Sequence, residues 1–169
     1  MLGRLSLNPV VHVDVIGTIV FPLIALMTGV PLIGWAKPVP VDMRNLRHPR
    51  RDFAVVALAG PVSNLVLAAA GAIVFNVMPD PGTGASADLI ARGLILFVVV
   101  NVLLAVFNMI PIPPLDGGNV LMGILPEPLA VMIDRVRPWG FLLLYILMLS
   151  GILSAITLPL RNMLLNWML

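Results

Sequence analysis

Charged residues divide this chain into long apolar runs. Asp14 to Lys37, Asp52 to Asp80, Arg92 to Asp116 and Arg137 to Arg161 each bound a stretch with no formal charge. Each stretch reaches the roughly 20 residues a helix needs to cross a hydrocarbon core. The pattern predicts four helical segments, near 15–34, 54–78, 92–112 and 140–160. Backbone in lipid must satisfy its own hydrogen bonds, which makes helices the default, and no run shows the alternation of a membrane barrel strand. Pro22, Gly29 and Pro31 interrupt the first segment and Gly34 closes it, so it is either a full crossing or a broken, re-entrant helix. The expected fold class is an all-α polytopic membrane protein of three to four transmembrane helices, a single membrane domain over residues 1–169.

A short β-strand element near the membrane surface is also expected. Lys37-Pro38-Val39-Pro40-Val41 is extended by its prolines, because the residue before proline avoids the helical region, and Leu5-Ser6-Leu7 alternates and can pair with it. Pro79 to Ala87 is a plain loop rich in Pro, Gly and Ser. The first 14 residues carry Arg4, His12 and Asp14 and do not read as a signal peptide. The loops differ in charge. Lys37, Arg44, Arg47, Arg50 and Arg51 face one acid, Asp42, in 37–51, whereas 79–89 holds Asp80 and Asp88 and no base. The positive-inside rule puts the first loop in the cytoplasm and the second outside. It also puts Asp116 at the cytoplasmic end of the third segment, at the membrane edge.

Composition agrees. Hydrophobic residues make up 60%, charged residues 11%, and the mean hydropathy is +1.06, against about 45–50% apolar and about 25% charged in soluble domains. A soluble globule lacks its polar coat here, and disorder needs the opposite composition. The absence of cysteine excludes disulfides, thiolate metal sites and a cysteine nucleophile. A pI near 9.9 with a net charge of only +2 and 6% aromatics gives no nucleic-acid surface.

Polar groups at membrane depth are costly, about 2.5–3.5 kcal/mol for a charge at a span's centre, so the few present attract attention. Ser63 and Asn64 lie in the second segment, Asn101 and Asn108 in the third, Asp116 at its end, and His12 and Asp14 at the mouth of the first. Asn101 and Asn108 share a helix face, and their plainest role is hydrogen bonding between helices. From Phe107 to Gly118, Pro111, Pro113 and Pro114 end the helix and impose an extended strand, after which Asp116-Gly117 makes a turn. That is either an ordinary helix exit or a carboxylate fixed on stiff backbone, as a metal ligand requires.

Asn108-x-x-Pro111-x-Pro113-Pro114-Leu115-Asp116-Gly117 resembles the C-terminal signature of the site-2 proteases, intramembrane zinc metalloproteases. Three further blocks support the likeness: Gly3-Arg4-Leu5-Ser6-Leu7-Asn8-Pro9 with His12-x-Asp14-x-Ile16-Gly17, Gly34 to Val41 followed by Asn45 to Asp52, and Ala59-Gly60-Pro61-x-x-Asn64. The likeness runs from the start to about residue 160 and is nearest the compact members without a PDZ insertion. It implies Zn2+ as cofactor, held by two histidines of a His-Glu-x-x-His helix and by Asp116. It also implies a transmembrane protein as substrate, the lipid bilayer as setting, no nucleic-acid partner, and a multi-pass protein of a prokaryotic plasma membrane. Asn108 would orient or stabilise the oxyanion, Pro111, Pro113 and Pro114 would stiffen the loop, and Gly117 would let the backbone turn beside the metal. His12, Asp14 and Asn64 are candidates for hydrogen bonds around the metal's ligands, His12 alternatively being a plain interfacial histidine.

One departure is large. His-Glu-x-x-His does not occur, the histidines being His12 and His48 and the sole glutamate Glu127. In the family that helix precedes the Gly-Arg-Leu-Ser-Leu-Asn-Pro block, so it would fall before residue 1. The expectation is a protease lacking its N-terminal helix and inactive alone. The alternative is a genuine short form, a non-catalytic pseudoprotease that binds transmembrane helices. A transporter is disfavoured for want of a broken-helix repeat.

Overall fold

A computed structural model describes residues 20–28, 48–78 and 85–169. The chain forms two compact units, residues 1–42 and 43–169. In the first, helix α1 covers Phe21–Thr28, within the predicted 15–34 segment. The strand expected from Leu5–Leu7 and Lys37–Val41, like His12 and Asp14, lies outside the described residues.

The second unit is built on α2, Pro49–Val77. Proline in its first turn costs no hydrogen bond, and the Asp52 carboxylate accepts from the His48 N–H at 3.0 Å, covering the first turn. The buried face of α2 is nearly all small: Ala54, Ala57, Pro61, Ala68, Gly71 and Ala72. These recur at helical spacing, so the stripe lets neighbouring backbones come close. Large apolar side chains such as Val55, Val66 and Ile73 point outward. In water such a surface would be an aggregation hazard; in lipid it is a solvent match.

Helix α3, Ala85–Asn108, packs antiparallel on the C-terminal half of α2. Val98, Val102 and Val106 close on Ala68 and Ala72 in the main apolar cluster. A methyl group at Gly71 would come within 2.8 Å of the Phe97 ring. Helix α4, Asp116–Ile124, covers the N-terminal half of α2. A Cβ at Gly123 would meet the Cβ of Ala54. Arg50 Nη2 donates to the carbonyls of Met122 (2.8 Å) and Leu125 (2.5 Å), satisfying orphan acceptors at the α4 C-terminus. The helices α3 and α4 thus line the length of α2 in tandem, with residues 109–115 as the joint.

Short helix α5, Glu127–Asp134, and a 3-10 turn, Arg137–Trp139, lead to α6, Gly140–Leu149, and α7, Ile152–Met168. The 140–160 segment is not one rod. Gly151 takes φ +76°, a left-handed conformation that glycine adopts without penalty, and the chain turns by 77° there. Leu164, Leu165 and Met168 of α7 pack on the α2–α3 cluster, and Asn76 Nδ2 donates to the Met168 carbonyl at 3.1 Å. Two described helices, Pro49–Val77 and Asp88–Asn108, are long and apolar enough to cross a membrane, or three if the bent pair counts as one span. Every element among the described residues is helical.

Candidate metal-ligand site

The joint between α3 and α4 differs from the expected strand. Proline ends α3 because it cannot donate the next helical bond. The backbone then turns back on itself: Ile110 N–H bonds the Phe107 carbonyl at 3.2 Å, Ile112 N–H that of Ile110 at 2.8 Å, and Leu115 N–H that of Ile112 at 3.0 Å. Pro113-Pro114 is cis. The local turns leave no ladder edge to form a strand. The Asp116-Gly117 pair does not make a separate turn either. Leu115 is the N-cap, its carbonyl taking the Gly118 and Asn119 N–H groups, and Asp116 opens α4. A carboxylate there is favoured by the helix dipole.

Glycine is required at the next position. A Cβ on Gly117 would collide with the backbone carbonyl of Met109. That contact folds the start of α4 back onto the end of α3, next to Asn108. On the other side, the Asp116 carboxylate meets α2: a Cβ built on Gly60 lies 3.1 Å from Asp116 Oδ2. The Gly60-Pro61 block and the proline-rich block, far apart in sequence, therefore meet at this carboxylate.

Gly60 follows Asp52, the last charge before the apolar body of α2, by about 12 Å at the helical rise of about 1.5 Å per residue. Asp116 therefore stands beside the α2 backbone, about 12 Å along the helix axis from Asp52. The tandem arrangement brings it there, because α4 continues alongside α2 beyond the end of α3. The Asp116 carboxylate is half-buried and makes no hydrogen bond or ion pair among the described residues. A carboxylate desolvated without a partner is unfavourable unless a cation or donor joins it.

Asn64 lies one turn beyond Gly60 on the same face of α2, half-buried, and Asn108 is half-buried at the end of α3; neither side chain bonds another described residue. Pro113 is buried and Pro111 exposed. Asn101 departs from expectation. Its Nδ2 donates to the Phe97 carbonyl of its own helix at 2.8 Å, so this bond does not join two helices; the small α2 face brings no polar partner within its reach. Two residues that sequence reasoning passed over support α4. Arg137 Nη2 donates to Asn119 Oδ1 at 3.0 Å and its Nε to Asp134 at 2.7 Å. Asn119 is buried, one turn after Asp116. An asparagine at that spacing from the aspartate was the available signal.

A model of the Peptidase family M50 matches residues 74–150. The protein named "Putative zinc metalloprotease YwhC" of Bacillus subtilis (strain 168) is 32% identical over 163 residues, 95% of this chain and 71% of that protein. The chain belongs to peptidase family M50. Likeness also extends to "Putative zinc metalloprotease Rip2" of Mycolicibacterium smegmatis, 28% identical over 153 residues, covering 90% of this chain and 56% of Rip2. "Putative zinc metalloprotease sll0528" of Synechocystis is 44% identical over 77 residues, 45% of this chain and 18% of that protein. No solved structure matches the chain.

For an M50 member the question is whether zinc fits here. Asp116 suits one ligand position, being oxygen-bearing, unpaired and held by backbone on two sides. Catalytic zinc takes three protein ligands, and the described residues contain no group of three His, Cys, Asp or Glu side chains able to hold a metal. Among the described residues Asp116 is therefore a single candidate ligand and not a complete set. The Gly60 contact makes this candidate testable. In Gly60→Ala the methyl presses on a side-chain oxygen that can swing aside, so stability should fall by less than about 1 kcal/mol. Where zinc is bound, its affinity should drop about tenfold or more, as for lost support of a ligand. Denaturant unfolding and zinc titration on the same variant separate the two effects.

Proposed function

We propose that this chain is part of an intramembrane zinc metalloprotease of the site-2 type, which hydrolyses peptide bonds within transmembrane segments of a protein substrate. It is a multi-pass protein of a prokaryotic plasma membrane, with the 37–51 loop on the cytoplasmic side. One observation carries the reading: an unpaired carboxylate, Asp116, held against Gly60 about 12 Å beyond the last charge of α2. Soluble packing gives no reason to keep such a group there, whereas a divalent cation does.

In this reading Asp116 is the carboxylate ligand and the joint at 109–115 sets its position. Asn108 offers a side-chain N–H2, uncommitted among the described residues, to a developing oxyanion. Asn64 extends the polar face of α2 beside the carboxylate. The other donors do not come from the described residues, and His-Glu-x-x-His does not occur in the sequence. In this reading the 169 residues alone should neither hold zinc tightly nor cleave peptides. A second reading is a pseudoprotease that binds transmembrane helices without cutting them.

Zinc titration of the purified chain in detergent tests the first reading. No stoichiometric complex should form at neutral pH. Fusing a helix with His-Glu-x-x-His ahead of residue 1 should create one that depends on Asp116. Tight binding by the unfused chain, or binding by the fused chain that ignores Asp116, would contradict it.

A further inference from the structure

A concavity with an apolar wall and a few polar groups lies between the N-terminus of α2, α4 and α5. Its volume is about 200 Å3, and its lining includes Arg50, Phe53, Asn119, Glu127, Arg137 and the Asp134 carboxylate that is paired with Arg137. It is smaller than the roughly 300–1,000 Å3 of pockets for drug-sized ligands, so its scale is that of a single residue.

The Asn119 side chain is only 8% exposed. Its orientation is fixed by chemistry: Arg137 can only donate, so the atom 3.0 Å from Arg137 Nη2 is the amide oxygen. The amide nitrogen has no partner among the described residues, yet it is not sealed from solvent, since none of their fully buried side-chain nitrogens or oxygens lacks a hydrogen bond. It therefore opens on the concavity that Asn119 lines. Arg50 and Arg137 spend Nη2 and, in Arg137, Nε on the protein, which leaves both Nη1 groups uncommitted. The Glu127 carboxylate makes no hydrogen bond or ion pair among the described residues. Phe53, Met122, Ala130 and Val131 supply the apolar wall.

We propose that this concavity binds the α-carboxylate of an apolar amino-acid residue, either a free amino acid or the last residue of a peptide. Two guanidinium groups and an amide N–H2 line it with donors left over from the protein's own bonds, the pairing carboxylates favour, and Asp134 leaves Arg50 as the lining's cation without an ion pair among the described residues. The apolar wall takes the side chain, and Glu127 takes the amino group of a free amino acid or the N–H of a peptide. The site is independent of the zinc reading, because none of its residues is a proposed metal ligand.

The test is calorimetric titration of the full 169-residue chain in detergent with four probes: L-leucine, N-acetyl-L-leucine, L-leucinamide and inorganic phosphate. Leucine or N-acetyl-leucine should bind saturably, and whichever is tighter identifies the free amino acid or the peptide end as the source. Leucinamide should bind at least about tenfold more weakly, the loss of a charged hydrogen-bond partner. Asn119→Asp keeps the acceptor for Arg137 and so the fold, but replaces the free donor by a carboxylate oxygen. It should weaken binding by at least about tenfold, with the melting temperature of the ligand-free chain checked in the same micelles. Equal binding of leucinamide, preference for phosphate, an Asn119→Asp variant that binds normally, or no saturable binding up to about 10 mM would each overturn the proposal.

Discussion

Asp116→Asn should abolish zinc binding and proteolysis in the chain completed with a His-Glu-x-x-His helix, and should leave the fold intact. The amide is nearly the same size as the carboxylate but carries no charge for the metal. Removing a hydrogen-bond partner of a ligand costs about 10–100-fold in affinity or activity, so neutralising the ligand itself should exceed about 100-fold. The same change should not destabilise the zinc-free chain. Asp116 is half-buried with no partner among the described residues, and replacing an unpaired charge by a neutral amide reduces its desolvation cost. Paired zinc titration and denaturant unfolding measure both quantities. Equal losses of stability and zinc affinity would mark Asp116 as a structural residue. A merely structural aspartate loses stability on substitution; a ligand maintained at a cost to folding does not.

Gly117→Ala should act in the opposite way, by disrupting the fold first. The added Cβ would strike the Met109 carbonyl, which is backbone and cannot rotate aside. Overpacking of this kind costs about 1–3 kcal/mol, occasionally more, and a rigid neighbour places Gly117 at the upper end. The displacement lies one residue from Asp116, so zinc binding in the completed chain should fall as well. Unfolding in detergent measures the first effect and zinc titration the second. Gly117→Ala and Asp116→Asn then form a contrasting pair: one loses both fold stability and zinc, the other zinc alone.

The contrast shows what could be read from sequence. Uncharged runs located α2 and α3, because a membrane span is a property of composition over a fixed length. The proline-rich block located the joint and Asp116, because proline cannot continue a helix. The meeting of Asp116 with Gly60 was not legible. Hydropathy measures how long a run is, not which residues stand level across two helices, and Asp116 reads as an end until Gly60 is found beside it. The break at Gly151 was hidden for a related reason: Leu142 to Leu160 is apolar on both sides of the bend, and only the positive φ of a glycine marks the corner. Arg50 counted toward sidedness in the charge pattern, while in the fold it also terminates α4. Asn101 looked like a tie between helices and instead bonds its own.

The most direct measurement is the anomalous-scattering map of a zinc-loaded crystal of the chain completed with a His-Glu-x-x-His helix. The zinc peak should lie about 2.0–2.2 Å from an Asp116 carboxylate oxygen, on the side where that oxygen meets Gly60. A zinc peak held by other residues, with the Asp116 side chain turned to lipid or bulk water, would contradict the assignment.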